Sequence, residues 1–434
     1  MNNEQLIERP FYLKQLNAWK DKSDLVKIVT GVRRCGKSKL FTLFQNNLLK
    51  NKKIQKKQIV SVNLENLLQV REIGLSINEK QLLSDYNILL DFILSKLIKD
   101  KMNYVFIDEV QLLENWQQVA NTLRLQENVD VYLTGSNAYM FSGDLANSFG
   151  GRYIEIKMQP FSFHEYCHAY EVKHKSVNLR NLNEVYTHYI TESGFPQTLL
   201  FNGERQLIND YLLDTVYLNT VQKDIVKRFK IAQTDKLDLV VNYLFDNIGN
   251  ETSLRNIEKG LKTGGRQVSV PTIELYLRGL IDSYLLYKCE RYDIKGKQIL
   301  NGNAKYYVCD LGLRTALLGR EDRDLGHILE NIVYLELIRR GYKVNVGTIS
   351  VQNKGLRKNI EVDFVAQKAG GILEYYQVAL YALEETTFER EISPLEQIPD
   401  NYPKYRLSMD FGEGNSNGIK RMNVLKWLLS DKII

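Results

Sequence analysis

An octapeptide near the N-terminus, Gly31-Val-Arg-Arg-Cys-Gly-Lys-Ser38, constrains this chain more than any other feature in it. It fits the spacing G-x-x-x-x-G-K-[ST], and it follows Leu25-Val-Lys-Ile-Val-Thr30, a β-branched run that reads as a buried strand. Directly after it comes an apolar stretch, Leu40-Phe-Thr-Leu-Phe44, which reads as a helix. Strand, glycine-rich turn and helix in that order make a cradle for phosphate. The glycines let backbone N–H groups turn inward, and the helix offers its positive N-terminus to the anion. The candidate phosphate-binding residues are therefore Gly31, Val32, Arg33, Arg34, Cys35, Gly36, Lys37, Ser38 and Lys39. Lys37 is expected to reach the β- and γ-phosphates, and the Ser38 hydroxyl to hold Mg²⁺. A tight glycine turn between strand and helix is the bland alternative.

A second element sharpens the class. Tyr104-Val-Phe-Ile-Asp108-Glu109 is an apolar strand ending in two acids, some seventy residues after the cradle. In nucleotide-hydrolysing proteins of this design, one acid at that strand end ligates Mg²⁺ and a neighbouring glutamate polarises the attacking water. Asp108 takes the first role and Glu109, as catalytic base, the second. Val131-Tyr-Leu-Thr-Gly-Ser136-Asn137 is another buried strand ending in small polar residues. If it lies between the other two strands in space, Ser136 or Asn137 stands beside the γ-phosphate; for each residue alone, a helix N-cap explains it as well. Ile59-Val-Ser-Val-Asn-Leu64 and Tyr153-Ile-Glu-Ile-Lys-Met158 complete five strands alternating with helical stretches. The predicted fold class is α/β, a P-loop three-layer parallel sheet.

Arg152, just before the last of these strands, has two readings: a surface residue, or a catalytic arginine that neutralises γ-phosphate charge in its own or a neighbouring subunit. No N-K-x-D stretch argues for guanine, so ATP is the expected nucleotide, with Mg²⁺.

The runs G-V-R-R-C-G-K-S, F-I-D-E-V-Q, L-T-G-S-N, G-G-R-Y and Q-P-F-S-F-H-E-Y together resemble a large family of prokaryotic ATPases. These are AAA-superfamily, STAND-like proteins with a C-terminal domain related to restriction endonucleases. The resemblance is tightest in residues 25–170 and implies ATP binding and hydrolysis on an AAA/ASCE-type core spanning residues 1–160. It also implies that Gly194-Phe195-Pro196 lies over the adenine, with Pro196 packing on the base; a helix-breaking turn is the plain alternative.

At 434 residues the chain needs two or three domains. Residues 161–232 read as a helical lid with aromatic and leucine stripes, and residues 233–318 as three helices and a hairpin, a winged-helix pattern. Its Lys259, Lys262, Arg266, Lys295 and Lys297 are placed to meet phosphates, although Glu274 sits where a recognition helix would face a groove. Residues 319–434 resemble the restriction-endonuclease-like α/β fold: Glu330 on a helix, Asp363 on a strand, then Gln377-Val378-Ala379 where that fold has an acid-x-lysine. Glu330 and Asp363 are candidate, weak metal ligands. The missing lysine makes nuclease activity doubtful unless Lys343 or Lys368 replaces it.

His164-Glu165-Tyr-Cys-His168 spells H-E-x-x-H, a zinc-protease spacing, but the family resemblance requires neither histidine there. The four cysteines, far apart, read as free thiols of a reducing, cytoplasmic compartment. No apolar run approaches a membrane span. Net charge is +6, which permits a DNA partner without demanding one. The expected function is an ATP-driven switch that presents its C-terminal domains to a DNA or protein partner, with homo-oligomers possible. An ATP-regulated nuclease, or a nucleic-acid-binding module with vestigial hydrolysis, is the alternative.

Overall fold

The computed structural model describes residues 6–79, 82–136, 149–173, 181–319, 324–353, 356–381, 392–410 and 412–430. Asn137, one of the two expected neighbours of the γ-phosphate, lies outside them. The chain forms two compact units, Met1–Pro160 with Asp282–Tyr284, and Phe161–Ile281 with Leu285–Ile434.

The first unit is built on five parallel strands: β1 (Val26–Thr30), β2 (Ile59–Asn63), β5 (Asn103–Asp108), β6 (Val129–Gly135) and β7 (Tyr153–Lys157). A two-stranded hairpin, β3 (Ser76–Ile77) and β4 (Leu83–Ser84), stands apart from them. The sheet order is β2-β5-β6-β1-β7. Strands β1, β5 and β6 are buried at every position, which is why they read as unbroken apolar runs rather than alternating ones. Helices α1 (Pro10–Ala18), α2 (Lys37–Lys50), α3 (Leu67–Ile73), α4 (Tyr86–Lys96) and α5 (Trp116–Arg124) accompany them. The core joins Val26, Ile28, Val105, Ile107, Val131 and Leu133 of the sheet to Leu89, Ile93, Val119 and Leu123 of α4 and α5. Because β6 inserts between β1 and β5, the C-terminal ends of all three strands meet on one edge of the sheet.

The opposite edge is pinned by charge. Lys27 and Asp130, on neighbouring strands, form an ion pair with both side chains fully buried. Tyr132 donates its hydroxyl to Asp130 at 2.7 Å, and Tyr104 donates to Asp21 at 2.7 Å.

In the second unit, helices Phe163–Lys173 and Leu182–Glu192 are followed by a helical stretch that starts at Arg205 and passes through π-helical segments Tyr211–Leu218 and Val221–Val226. Three more helices come next, Thr234–Asp246, Leu254–Thr263 and Val270–Asp282, with Ser253 capping the second through the Asn256 N–H. Strands β8 (Leu286–Asp293) and β9 (Gln298–Val308) then form a hairpin, and Thr252 and Ala304 exchange two backbone hydrogen bonds of 2.9 Å.

One expectation is corrected here. The hairpin was to close a separate domain at residue 318, but β8 pairs in parallel with β10 (Lys343–Asn353) through Arg291–Val346 and its neighbours. Hairpin and C-terminal segment thus share one eight-stranded sheet, in the order β14-β15-β13-β12-β11-β10-β8-β9. Its remaining strands are β11 (Leu356–Gln367), β12 (Leu373–Ala379), β13 (Lys404–Ser408), β14 (Gly414–Ser416) and β15 (Ile419–Asn423), and helix Leu325–Arg339 packs on them. At the hairpin tip, the Lys295 ammonium donates to the Ser350 carbonyl at 3.0 Å, so this lysine is engaged within the sheet rather than held out for phosphate.

Candidate functional site

Gly31 leaves β1 with φ +146°, and a Cβ there would lie 2.0 Å from the Met158 carbonyl oxygen. Only glycine fits that turn. Gly36 then caps α2 in the left-handed region at φ +104°, and Arg34 also takes a positive φ of 68°. The loop is supported from behind by a residue the sequence does not flag. Arg9, buried, donates to the Cys35 carbonyl at 3.2 Å and to the Gln159 carbonyl at 2.8 Å. A lone arginine before a proline carries no pattern that marks this role.

Lys37 is 4% exposed and folds back on its own loop, donating to the carbonyls of Gly31 at 3.0 Å and Val32 at 3.2 Å. Its ammonium stands 3.9 Å from Glu109. Arg33 reaches Glu65 at 3.7 Å and Glu109 at 3.8 Å. Cys35 is buried against the Met158 carbonyl, and burial pushes its thiol pKa up.

The acids at the end of β5 are both buried. Burial raises the Asp108 carboxyl above its ordinary value, while hydrogen bonds from the Ser38 and Thr134 hydroxyls pull it back. Ser38, Asp108 and Thr134 thus form one chain across the cradle and two strands. A buried carboxylate whose hydrogen-bond partners are neutral hydroxyls suits a hard cation, so Ser38 and Asp108 fit the Mg²⁺ expected of them. Glu109 sits at φ +55°, ψ 50°, unusual for a side-chain-bearing residue, and its N–H donates to the Thr134 hydroxyl at 2.9 Å. Gln111, on the 3₁₀ turn Val110–Leu112, donates to the Glu109 carboxylate and to the Ser136 hydroxyl at 3.2 Å.

Arg152 is placed elsewhere. Its carbonyl accepts the Val26 N–H at the start of β1, and its half-exposed side chain reaches Asp24 at 3.4 Å. The cradle follows the other end of β1, roughly 15 Å away at about 3.3 Å per residue. The reading in which Arg152 serves the phosphate of its own chain is therefore corrected; a role toward a neighbouring subunit is untouched.

Gly194-Phe195-Pro196 lies in the second unit. The Gly194 N–H donates to Asp310 at 2.7 Å, its carbonyl accepts the Phe161 N–H at 2.7 Å, Phe195 is fully buried and Pro196 is half-buried. The H-E-x-x-H stretch resolves into a capping box: Glu165 accepts the Ser162 N–H at 2.9 Å and the Ser162 hydroxyl accepts the Glu165 N–H at 3.1 Å. Among the described residues no group of three or more His, Cys, Asp or Glu could hold a metal.

Glu330 and Asp363 come near a lysine that the sequence reading did not name. It is Lys305 of β9, bonded to Glu330 at 2.9 Å and to Glu361 at 2.7 Å. Lys368 instead pairs with Glu374 at 3.1 Å, and Lys343 is exposed, so neither of these two candidates stands in for the missing lysine. Burial opposes the Glu330 charge, but Lys305, His327 and the Tyr307 hydroxyl outweigh it and hold the carboxyl below its ordinary value. Burial, with Glu330 adding to it, pushes Asp363 well up, and its carboxylate accepts the Val378 N–H at 2.7 Å. The Gln377 side-chain carbonyl oxygen stands 3.4 Å from the Asp363 N–H.

A five-stranded parallel sheet with the acid strand one removed from the cradle strand defines a P-loop nucleotide-binding core. Residues 23–167 match the family model described as AAA domain, which makes this an ATPase-type core of the AAA superfamily, and residues 183–324 match a domain of unknown function (DUF8612). An uncharacterized protein of Haemophilus influenzae is 36% identical over 98% of this chain and its own full length. The uncharacterized protein MJ1544 of Methanocaldococcus jannaschii is 30% identical, covering 92% of this chain and 84% of its own. The chain belongs to the family of these two proteins. Among solved structures, a Walker-type ATPase of Pyrococcus abyssi is similar at 16% identity and a TM-score of 0.45, covering 72% of this chain and 96% of that one.

Proposed function

We propose that this protein binds ATP with Mg²⁺ at Gly31–Lys39 and hydrolyses it slowly, as a switch that controls how its second unit is presented to a partner. The observation that carries the reading is the chain Ser38–Asp108–Thr134, which ties the cradle to the acid strand and to the strand between. Ser38 and Asp108 would hold Mg²⁺, which supplies positive charge at the β- and γ-phosphate oxygens when bound. Lys37 gives up its loop carbonyls for the phosphates, Glu109 polarises the attacking water, and Ser136 contacts the γ-phosphate. The helical segment 161–232 acts as the lid and the 233–318 helices as an intramolecular brake. The β8–β9 hairpin, committed to a sheet and with Lys295 engaged, favours this role over a free DNA-reading wing.

Phosphate release from ATP by the purified protein, with and without Mg²⁺, tests the proposal. Mg²⁺-dependent turnover that Lys37→Ala abolishes supports it; no turnover, or turnover unaffected by that change, contradicts it.

A second reading, an ATP-regulated DNA-processing nuclease of the restriction-endonuclease-like fold, is favoured by one observation: Lys305 brings an ammonium to Glu330. We place it second because that ammonium already neutralises the acids, and Ala379 offers nothing to orient water.

A further inference from the structure

Glu155 belongs to no part of the phosphate-binding signature, yet its carboxylate is fastened to the root of the cradle. One oxygen, Oε1, accepts the Thr30 hydroxyl at 2.8 Å and the Tyr284 hydroxyl at 2.9 Å. Thr30 is fully buried and immediately precedes Gly31, the first residue of the cradle. The chain at the end of β7 holds the same place through its backbone. There the Met158 N–H donates to the Thr30 carbonyl at 2.7 Å, and Gly31 packs on the Met158 carbonyl oxygen. Side chain and main chain of Thr30 are thus both gripped from one neighbouring strand. A tilt of that strand end carries Gly31 with it, and the inward set of the loop N–H groups depends on Gly31.

Tyr284 comes to this place from far along the chain, 129 residues beyond Glu155. Asp282, Ser283 and Tyr284 belong to the first unit, whereas Ile281 before them and Leu285 after them belong to the second. The tripeptide joins the helix Val270–Asp282 to strand β8. Ser283 and Tyr284 are buried, and Tyr284 has φ +60°, a left-handed conformation that bulky residues rarely adopt. Such a residue persists where its surroundings over-determine it, and the bond to Glu155 is one of those constraints. Lys157 stands 3.6 Å from the other Glu155 oxygen, Oε2, which leaves Oε1 to the two hydroxyls.

We infer that Glu155 and Tyr284 are positioning residues of the cradle: Glu155 pins the strand end from which it springs, and Tyr284 makes that pin depend on the Asp282–Tyr284 strap. Nucleotide affinity is then set in part by a turn of the chain that carries none of the phosphate-binding residues. The coupling is reciprocal. Whatever the seated strap adds to nucleotide affinity, bound nucleotide adds to the seating of the strap. This rests on the ATPase reading above and adds a means of regulating that site through the chain between helix Val270–Asp282 and β8. Because the cradle grips the phosphates in the ground state and the transition state alike, the strap acts on binding more than on the chemical step.

The test uses the full chain and four substitutions. Tyr284→Phe removes one hydroxyl and Thr30→Val the other. Glu155→Leu removes the shared acceptor, while Glu155→Gln keeps an oxygen able to accept from both. Binding of a fluorescent ATP analogue, steady-state hydrolysis and amide hydrogen exchange are measured on each. Tyr284→Phe and Thr30→Val should each weaken analogue binding about three- to tenfold and raise KM to match, with kcat lowered far less. The double variant should bind no more weakly than Thr30→Val, because both hydroxyls act through one carboxylate. Glu155→Gln should recover most of what Glu155→Leu loses. Saturating analogue should slow exchange at residues 282–285 of the parent, and do so less in Tyr284→Phe. Unchanged affinity in Tyr284→Phe, or multiplicative losses in the double variant, would overturn the inference, whatever happens to the melting temperature. If the parent binds no ATP analogue, the ATPase reading fails by itself, and exchange at Gly31–Lys37 decides the rest. A cradle pinned through the strap exchanges faster there in Tyr284→Phe; unchanged exchange refutes the pin.

Discussion

The hydroxyl of Thr134 bonds the carboxylate of Asp108, joining the strand that carries the acids to the strand wedged beside it. The same hydroxyl accepts the Glu109 N–H at 2.9 Å, so one buried oxygen positions both acids. Thr134→Val keeps the shape and removes that oxygen. It should destabilise the first unit by about 1–3 kcal/mol, because Asp108 and a backbone N–H each lose a buried partner. It should also slow ATP turnover more than it weakens nucleotide binding. Urea denaturation with parallel kinetics checks both, and an unchanged kcat would show that Thr134 only fills space.

At the far edge of the sheet, Lys27 and Asp130 should behave as a unit. Burial lowers the Lys27 pKa and Asp130 restores part of its charge, while Asp130 is itself enclosed. Lys27→Met leaves Asp130 without its counter-ion and should cost about 3–5 kcal/mol. Replacing both residues with apolar ones of similar volume should recover much of that loss. Equal destabilisation by the single and double replacements, read by urea denaturation, would contradict the coupling.

Much of the first unit is legible in the sequence because its signals are local. Strand β1, the Gly31–Ser38 turn and α2 are adjacent in the chain, and their residue types follow from backbone and charge requirements at each position. The position of β6 between β1 and β5 was the condition for placing Ser136 beside the γ-phosphate, and the sheet order meets it. Arg9 was missed because its partners, Cys35 and Gln159, are brought to it only by the fold. Lys305 was missed for the same reason: it lies 25 residues before Glu330 on a hairpin that the sequence assigns to another domain. The pairing of β8 with β10 is a long-range register that no periodicity encodes. At Glu165 a capping box and the zinc spacing set aside above share the same letters.

Arg152 offers a test of assembly. Its place at the start of β7, away from the cradle of its own chain, means that any phosphate it serves belongs to a neighbouring chain. Turnover per chain that rises with protein concentration and collapses in Arg152→Ala is the expected result, measured alongside solution mass. Concentration-independent turnover that survives the change would reduce Arg152 to a surface residue paired with Asp24.

The C-terminal acids should show no DNA cleavage. Lys305 occupies Glu330, the Val378 N–H occupies Asp363, and two acids with an amide, Gln377, give a hard cation too few charged oxygens. Incubation of the protein with plasmid and single-stranded DNA, plus Mg²⁺ or Mn²⁺ and with or without ATP, checks this. Cleavage lost in both Asp363→Ala and Lys305→Met would promote the nuclease reading to first place.

The central claim is that Glu109 is the base of a Mg²⁺-dependent ATPase whose cradle is Gly31–Lys39. Single-turnover hydrolysis by Glu109→Gln, measured beside its affinity for ATP, tests it most directly, because this change removes only the water-polarising charge. The account predicts ATP binding within a few-fold of the parent and a hydrolysis rate lower by about a hundredfold or more. Hydrolysis at the parental rate in Glu109→Gln would contradict it.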